Sequence, residues 1–178
     1  MRKHFDSPIM SSAFSGIIFS VLVLTFIPTA THTAEVTPNP FDVPAYRQAF
    51  FDASRIYGKS GCGDIQLAQM TAENSLKTGV PANVIAAIVS VESSCNPLAI
   101  SQKGAVGLTQ VNVKVQSDKF AQFRTINLFN PQENMKVGTQ IMAEMIKQYG
   151  LRSGISHYDG VGPDADAYVV KVLTLAGK

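Results

Sequence analysis

The chain has 178 residues, with 15 Lys and Arg against 13 Asp and Glu, and charged residues make up only 16% of it. A net charge of +2 excludes a strongly basic nucleic-acid binder and an acidic tail protein. The length suits one domain with its own hydrophobic core. Hydrophobic residues reach 46% of the chain, and the N-terminal segment accounts for part of that figure.

Residues 1–34 have the pattern of a secretory signal peptide. Arg2 and Lys3 precede an apolar stretch of about a dozen residues, the usual size of the hydrophobic region of such a signal. A membrane span needs about 20 apolar residues, so this stretch is short for one. We expect a periplasmic or secreted protein, with Ala30 and Ala34 as candidate cleavage positions. An uncleaved anchor is the alternative.

The sequence after the signal predicts a linker followed by one helical domain. Residues 35–44 contain three prolines and are expected to form an extended linker, with the domain covering 45–178. Apolar residues then recur at spacings of three and four, which indicates helices, and no β-alternating run has a useful length. The fold class is therefore mainly α. The predicted helices cover residues 45–57, 64–77, 81–96, 131–149, 153–158 and 166–175.

Two cysteines, Cys62 and Cys95, are present. In an exported protein they indicate one disulfide bond, which would stabilise the fold by roughly 3–4 kcal/mol through loop closure. Two unrelated buried thiols are the alternative. We expect no metal site, because two cysteines with His157 far away in the sequence lack the spacing of metal ligands.

Glu92 is the residue most informative about chemistry. With Ile85 and Val89 it shares one face of the third predicted helix, so a carboxylate ends an otherwise apolar face. Desolvation disfavours the ionised form and should raise the pKa of Glu92. A carboxyl group that is protonated near neutral pH is what a general acid needs. A solvated glutamate at a helix end is the alternative, and local physics does not decide between them.

The residues after Glu92 resemble the signature of the soluble lytic transglycosylase catalytic domain. Residues 92–101 read Glu-Ser-Ser-Cys-Asn-Pro-Leu-Ala-Ile-Ser and are similar to the family's E-S-x-F-N-P-x-A-x-S. Residues 104–110 read Gly-Ala-Val-Gly-Leu-Thr-Gln and are similar to its G-A-x-G-L-M-Q.

Three further segments follow in the family's order. Residues 130–138 resemble its D-P-x-x-N-x-x-x-G segment. Tyr-Asp-Gly at 158–160 stands where the family usually has Y-N-A-G, and Tyr-Val at 168–169 resembles its closing Tyr-Val. The resemblance covers roughly residues 64–173.

The resemblance implies a lysozyme-like single domain that cleaves the β-1,4 bond between N-acetylmuramic acid and N-acetylglucosamine in peptidoglycan. Residues 45–178 would be the lytic transglycosylase catalytic domain. Glu92 would protonate the glycosidic oxygen and then act as base on the muramyl C6 hydroxyl. Attack of that hydroxyl on C1 gives a 1,6-anhydro product without water and without a cofactor.

The resemblance also implies partners and substrate-binding residues. The partners are glycan strands and an envelope-spanning secretion or conjugation apparatus that needs local wall opening; we expect a monomer and no nucleic acid. Ser101 and Gln110 match cleft positions, although a loop hydrogen bond is the alternative for Ser101. Tyr158 is expected close to the acid, bonded to it or to the sugar. Asn134 and Tyr168 are cleft candidates, with capping and core roles as alternatives.

Departures from the family pattern concern the detail of substrate binding, and two other functions stay open beside the resemblance. Cys95 stands where the family has Phe, which supports its pairing with Cys62. Asp159 stands at the family's Asn; it is a candidate second carboxylate, although Asp-Gly favours a turn. An ordinary glycosidase needs two carboxylates, so a goose-type lysozyme-like hydrolase is one alternative. A non-catalytic peptidoglycan-binding assembly protein is the other. The chain has no Trp, so sugar stacking would fall to Tyr or Phe.

Overall fold

The computed structural model describes residues 39–114, 126–160 and 162–178. Within them the fold is mainly α, as the sequence periodicity predicted, and the expected signal peptide lies outside them. A short 3-10 turn, Pro40–Asp42, precedes the first helix. The helices are α1 Pro44–Ser60, α2 Ile65–Thr78, α3 Ala82–Ser93, α4 Pro131–Tyr149, α5 Leu151–Asp159 and α6 Ala165–Ala176.

Helix α3 lies at the centre of the core. Every residue from Val84 to Val89 has no exposed surface. A helix that is apolar on all sides is stable only where neighbours cover it, and α1, α2 and α6 pack around α3. Helix α4 packs against α2 and α5, and α5 packs against α6. The C-terminal end of this central helix carries Glu92.

Side chains with cap-forming chemistry set several helix ends. Asp64 and Asn130 begin α2 and α4, and the side chain of each accepts hydrogen bonds from backbone N–H groups of the first turn. Helix α1 continues two residues past Gly58, where the sequence predicted its end. It stops at Gly61, which has a φ of 78°.

Helix α3 ends at Ser93, earlier than the pre-proline rule predicted. The next two residues, Ser94 and Cys95, have φ values of 50° and 64°, in the left-handed region that non-glycine residues rarely adopt. Cys95 is bonded to Cys62 in the turn between α1 and α2, which confirms the expected disulfide. The chain therefore leaves α3 through a tight turn that is tied to the connection between α1 and α2.

The described part of the segment expected to be a linker is folded against α1. Phe41, in the 3-10 turn, packs edge-to-face on Tyr46 and Phe50 with ring centroids 5.2 and 5.0 Å away. This part is therefore not extended, because the aromatic ring of Phe41 is partly buried beside the core. No helix in the described part of the chain is long and apolar enough to span a membrane.

Candidate active site

A cavity of about 350 Å³ opens at the C-terminal end of α3. Glu92 from α3, Ser101 and Gln110 from the following loop, and Tyr158 and Asp159 from the end of α5 line it. The predicted acid and three predicted substrate-binding residues, Ser101, Gln110 and Tyr158, therefore border one cavity. Local sequence patterns put these residues on separate elements, and the packing of α5 beside the loop brings them together.

A larger cavity, of about 920 Å³, lies between α2 and α4. Its charged side chains Glu73, Lys77 and Lys136 are exposed, as expected for solvated charges on a surface groove. The cavity at Glu92 is the better candidate for chemistry, because it contains a mostly buried carboxyl group with a perturbed pKa.

Burial raises the pKa of Glu92 from its ordinary value of 4.5 to about 7. A hydrogen bond from Tyr168 opposes this shift, the negative charge of Asp159 adds to it, and the positive charge of Lys171 opposes it. Ile85 and Val89, on the same face of α3, have no exposed surface, so the apolar surroundings expected from the sequence are present. A carboxyl group with this pKa carries its proton in a large fraction of molecules at neutral pH.

The hydrogen-bond partner of Glu92 is Tyr168, whereas Tyr158, expected to bond to the acid or to the sugar, lines the same cavity without bonding to Glu92. The Tyr168 hydroxyl donates to Oε1 of Glu92 at 2.6 Å. The Tyr158 hydroxyl instead donates to the backbone oxygen of Thr109 at 2.7 Å, while its ring lines the cavity. Burial and the neighbouring Glu92 carboxylate raise the pKa of both tyrosines, which keeps the two hydroxyls protonated as donors.

Ser101 and Gln110 are both tied into the loop that faces Glu92. The Ser101 hydroxyl accepts a hydrogen bond from the Ala105 N–H at 3.0 Å, the local role named as its alternative. Gln110 has a φ of 50°, and its amide nitrogen donates to the backbone oxygen of Gly107 at 3.0 Å. Among the described residues, nothing hydrogen-bonds its Oε1. Both side chains are held in fixed positions at the cavity wall.

Asn134 lies beneath this loop and has no exposed surface. Its side-chain oxygen accepts from the Thr109 N–H at 2.9 Å and from the Thr109 hydroxyl at 2.7 Å. Its amide nitrogen donates to the backbone oxygens of Val106 at 2.8 Å and Leu128 at 3.0 Å. All of its hydrogen-bonding groups are used inside the protein. We therefore infer that Asn134 shapes the loop and does not contact a ligand in the cavity.

Asp159 lies where both roles considered for it, a turn residue and a carboxylate in the cavity, are possible. It is the last residue of α5, directly before Gly160, and it also lines the cavity. Partial burial raises the pKa of Asp159; the positive charge of Lys103 opposes this shift and the negative charge of Asp164 adds to it. The cavity thus carries a second carboxylate near the acid.

Several contributors to the site were missed by the sequence analysis. Lys103 and His157 line the cavity, and the charge of Lys171 acts on Glu92. Lys171 follows Tyr168 by three positions on α6, so helical spacing would have placed it near the acid once Tyr168 was known to bond it. In residues 39–114, 126–160 and 162–178, no three His, Cys, Asp or Glu side chains cluster as a metal site requires.

Comparison with known proteins places the site in a family context. The family model described as the transglycosylase SLT domain matches residues 69–160. This match contains Glu92, the loop with Ser101 and Gln110, and the residues from the end of α5 that border the cavity.

Curated proteins of two kinds are similar to the same region. The chain is 34% identical over 82 residues to membrane-bound lytic murein transglycosylase C of Photorhabdus laumondii, covering 42% of this chain and 23% of that protein. It is 36% identical over 87 residues to the protein of that name from Cronobacter sakazakii, covering 45% and 24%. It is 30% identical over 106 residues to endo-type membrane-bound lytic murein transglycosylase A of Cronobacter sakazakii, covering 56% and 49%. The chain thus spans about a quarter to a half of the length of these relatives.

Proposed function

Because the chain belongs to the transglycosylase SLT domain family, we propose that it is a peptidoglycan lytic transglycosylase. It cleaves the β-1,4 bond between N-acetylmuramic acid and N-acetylglucosamine and releases 1,6-anhydromuramyl products. The observation that carries this proposal is the environment of Glu92, a mostly buried carboxyl group whose pKa is raised to about 7 at the wall of an open cavity. The names of the similar lytic murein transglycosylases support it.

Glu92 acts first as acid and then as base. Its protonated carboxyl group gives a proton to the glycosidic oxygen as the bond to the muramyl C1 breaks. The muramyl C6 hydroxyl then attacks C1, and the Glu92 carboxylate takes the proton of that hydroxyl. The carboxylate that exists between the two steps accepts a hydrogen bond from Tyr168, and bonds to a charged group are stronger than those to a neutral one. The acid is back in its starting state when the product leaves.

The loop residues supply the contacts that position the sugar. The Gln110 side-chain oxygen is an acceptor for the N–H of a 2-acetamido group, and the Ser101 hydroxyl is within the same cavity. Asn134 holds the backbone of this loop from below. Ser101 and Gln110 are therefore already ordered, and little conformational entropy is lost when the sugar binds.

Product analysis on purified sacculi tests the proposal. Wild-type protein should release muropeptides that end in 1,6-anhydromuramic acid, detected by mass spectrometry, and Glu92→Gln should lose activity by about 10²-fold or more. The matched control is Glu73→Gln, a change of the same type at an exposed glutamate on α2, which should leave activity unchanged. Absence of activity in the wild type, with binding to sacculi retained, would support the non-catalytic binding protein instead.

The second candidate function is a goose-type lysozyme-like hydrolase. It is favoured by one observation, the presence of the Asp159 carboxylate in the same cavity as Glu92. In that reaction Asp159 would act on water, and the products would carry reducing-end muramic acid. The same mass spectra therefore distinguish the two enzymes, because a hydrolysed end is heavier than an anhydro end by one water.

We further propose that the protein works in the cell envelope, where it opens the wall locally for a secretion or conjugation apparatus. The disulfide supports an oxidising compartment, and the similar proteins are named membrane-bound. Fractionation should find the protein outside the cytoplasm. Replacing the chromosomal copy by Glu92→Gln should lower assembly or transfer by the apparatus that it serves; unchanged assembly and transfer would argue against this role.

A further inference from the structure

We propose that the stacked rings of Tyr149 and His157 form an aromatic sugar-binding subsite at the edge of the Glu92 cavity. The ligand is an N-acetylhexosamine residue of the glycan strand, bound through the apolar face of its ring next to the residue at the cleavage point. The proposal rests on the proposed function, because it takes the glycan as the ligand of this cavity.

The two rings form a rigid unit at the junction of α4 and α5. Tyr149 is the last residue of α4, and His157 lies on α5. A single residue, Gly150, separates the two helices. The ring centroids are 3.8 Å apart and the ring planes differ by 9°, which is a parallel stack. His157 Nδ1 lies 2.8 Å from the backbone oxygen of Ser153. A carbonyl oxygen only accepts, so Nδ1 carries the proton and the ring is fixed at a second point.

The stacked pair borders the site from the side of α5. His157 lines the cavity that contains Glu92, and it directly precedes Tyr158 and Asp159, which line it too. Tyr149 does not itself line the cavity, but it stacks on His157, which does, and it keeps 41% of its surface exposed. The exposed aromatic Phe51 on α1 does not line this cavity. Aromatic surface that is both exposed and continuous with a reaction cavity is typical of a binding site.

The chemistry of the stack fits a sugar ring. One face of a hexosamine ring presents C–H groups, which pack on an aromatic ring, while its edge presents hydroxyl and amide groups. His157 Nε2 can hydrogen-bond a sugar hydroxyl, and no residue in the described ranges hydrogen-bonds it. The Asp159 carboxylate, two positions along, is another acceptor for sugar hydroxyls. The chain contains no Trp, so this role must fall to the aromatic residues that are present.

A rigid aromatic subsite next to Glu92 can help to position the substrate. Binding energy gained on a sugar that does not react can hold the reacting sugar in position against Glu92. Because both rings are already fixed in the free protein, little side-chain freedom is lost when the sugar binds. The pair is therefore a substrate-binding feature and takes no part in proton transfer.

The test measures binding in the Glu92→Gln background, where the ligand is not cleaved. The probes are the tetramer and hexamer of N-acetylglucosamine, titrated by calorimetry or NMR. Tyr149→Ala and His157→Ala should each weaken binding about three- to tenfold, the range expected for one aromatic contact. Tyr149→Phe, which keeps the ring, should bind like the parent, and so should Phe51→Ala, the control for loss of an exposed aromatic.

A readout that leaves Tyr149 and His157 unchanged distinguishes sugar binding from a purely structural role of the two rings. In the Glu92→Gln protein the ring proton resonances of His157 should shift on titration with the tetramer. The proposal is overturned if these resonances stay in place, or if both alanine variants bind like the parent while folding normally by circular dichroism. Failure of the proposed function is a separate result: wild-type protein inactive on sacculi, with oligomer binding that still depends on Tyr149.

Discussion

The hydroxyl of Tyr168 donates to Oε1 of Glu92 at 2.6 Å across 76 positions of sequence. Helix α6 carries Tyr168 to the end of α3, where the chain has already turned away toward the disulfide. The bond leaves one carboxylate oxygen, Oε2, for a ligand in the cavity. It also opposes the effect of burial on the pKa of Glu92, because a donor stabilises the ionised form.

Removal of this bond should slow the reaction. In Tyr168→Phe the carboxylate that forms after proton donation loses its donor, and a bond to a charged group contributes about 1.5–3 kcal/mol, so kcat/KM should fall about 10- to 100-fold. Since the bond lowers the pKa of Glu92, the alkaline limb of the pH–rate profile should move to higher pH. Steady-state rates on sacculi from pH 4 to 9 check both effects. An unmoved limb would mean that Tyr168 does not act on the acid.

Removing the charges of Asp159 and Lys171 should move the alkaline limb of the pH–rate profile in opposite directions. Activity needs the protonated acid, so it should decline above about pH 7. Asp159→Asn removes a negative charge that raises the pKa of Glu92, and the limb should move to lower pH. Lys171→Gln removes a positive charge that lowers it, and the limb should move to higher pH.

Asp159→Asn also bears on the reaction type. At pH 5, where Glu92 is protonated in the wild type and in this variant, a lytic transglycosylase should keep most of its rate in Asp159→Asn. A loss of about 10²-fold or more, the size expected for a catalytic carboxylate, would instead favour the hydrolase.

Glu92 should make the stability of the protein depend on pH. Its pKa is higher in the folded protein than in the unfolded chain, so stability falls as pH rises from about 4.5 to about 7 and the loss is complete above that. One pKa unit corresponds to about 1.4 kcal/mol, which makes the full cost about 3 kcal/mol. Glu92→Gln should match the wild type near pH 4 and exceed it by up to this amount at pH 8. Urea unfolding at the two pH values measures it; an equal difference at both would contradict the burial of the carboxyl group.

Asn134 should matter for stability more than any exposed asparagine. Asn134→Ala leaves the Thr109 N–H and the backbone oxygen of Leu128 unpaired in the interior, at a cost of about 3–4 kcal/mol of unfolding free energy. The Val106 oxygen loses one donor and keeps its bond from the Val111 N–H. The matched control is Asn96→Ala, where an exposed side chain accepts a single bond from a backbone N–H, and the cost should stay below about 1 kcal/mol. Equal costs by urea unfolding would show that the buried network is not needed.

The disulfide should contribute stability through the length of loop that it closes. Cys62 and Cys95 are separated by 33 positions, and the double change to Ser should lower the unfolding free energy by roughly 3–4 kcal/mol. Reductant should lower the unfolding midpoint of the wild type and leave that of the double variant in place. Two titratable thiols in the untreated, unfolded wild type would rule out the bond.

Local patterns in the sequence were enough to predict the helices and to place the Glu92 carboxyl group at the end of an apolar face. The spacing of Ile85, Val89 and Glu92 depends only on the 3.6-residue period of one helix, and that face is buried as expected. The caps at Asp64 and Asn130 act within one turn of chain, so their effect is also visible locally. The disulfide was predictable because the chain offers only one pairing.

The contacts around the acid depend on how distant elements meet, and the sequence carries no local signal for them. Tyr158 and Tyr168 were both candidates from their motifs, and only the packing of α5 and α6 against α3 decided that Tyr168 bonds Glu92 while Tyr158 bonds the backbone of Thr109. For Asn134 the sequence left both a cleft role and a core or capping role open, because the polarity of a side chain does not reveal whether its partners are solvent or protein.

The sequence by itself determined the helices, the disulfide, the family resemblance and a carboxyl group on an apolar face. The tertiary structure alone decided which hydroxyl meets that carboxyl group, which charges act on its pKa, and that Tyr149 stacks on His157 beside the cavity. The physical reason is the distance along the chain over which each interaction acts. Helical period and capping act over a few residues, whereas burial, charge interactions and ring stacking depend on distances that exist only after the helices have packed.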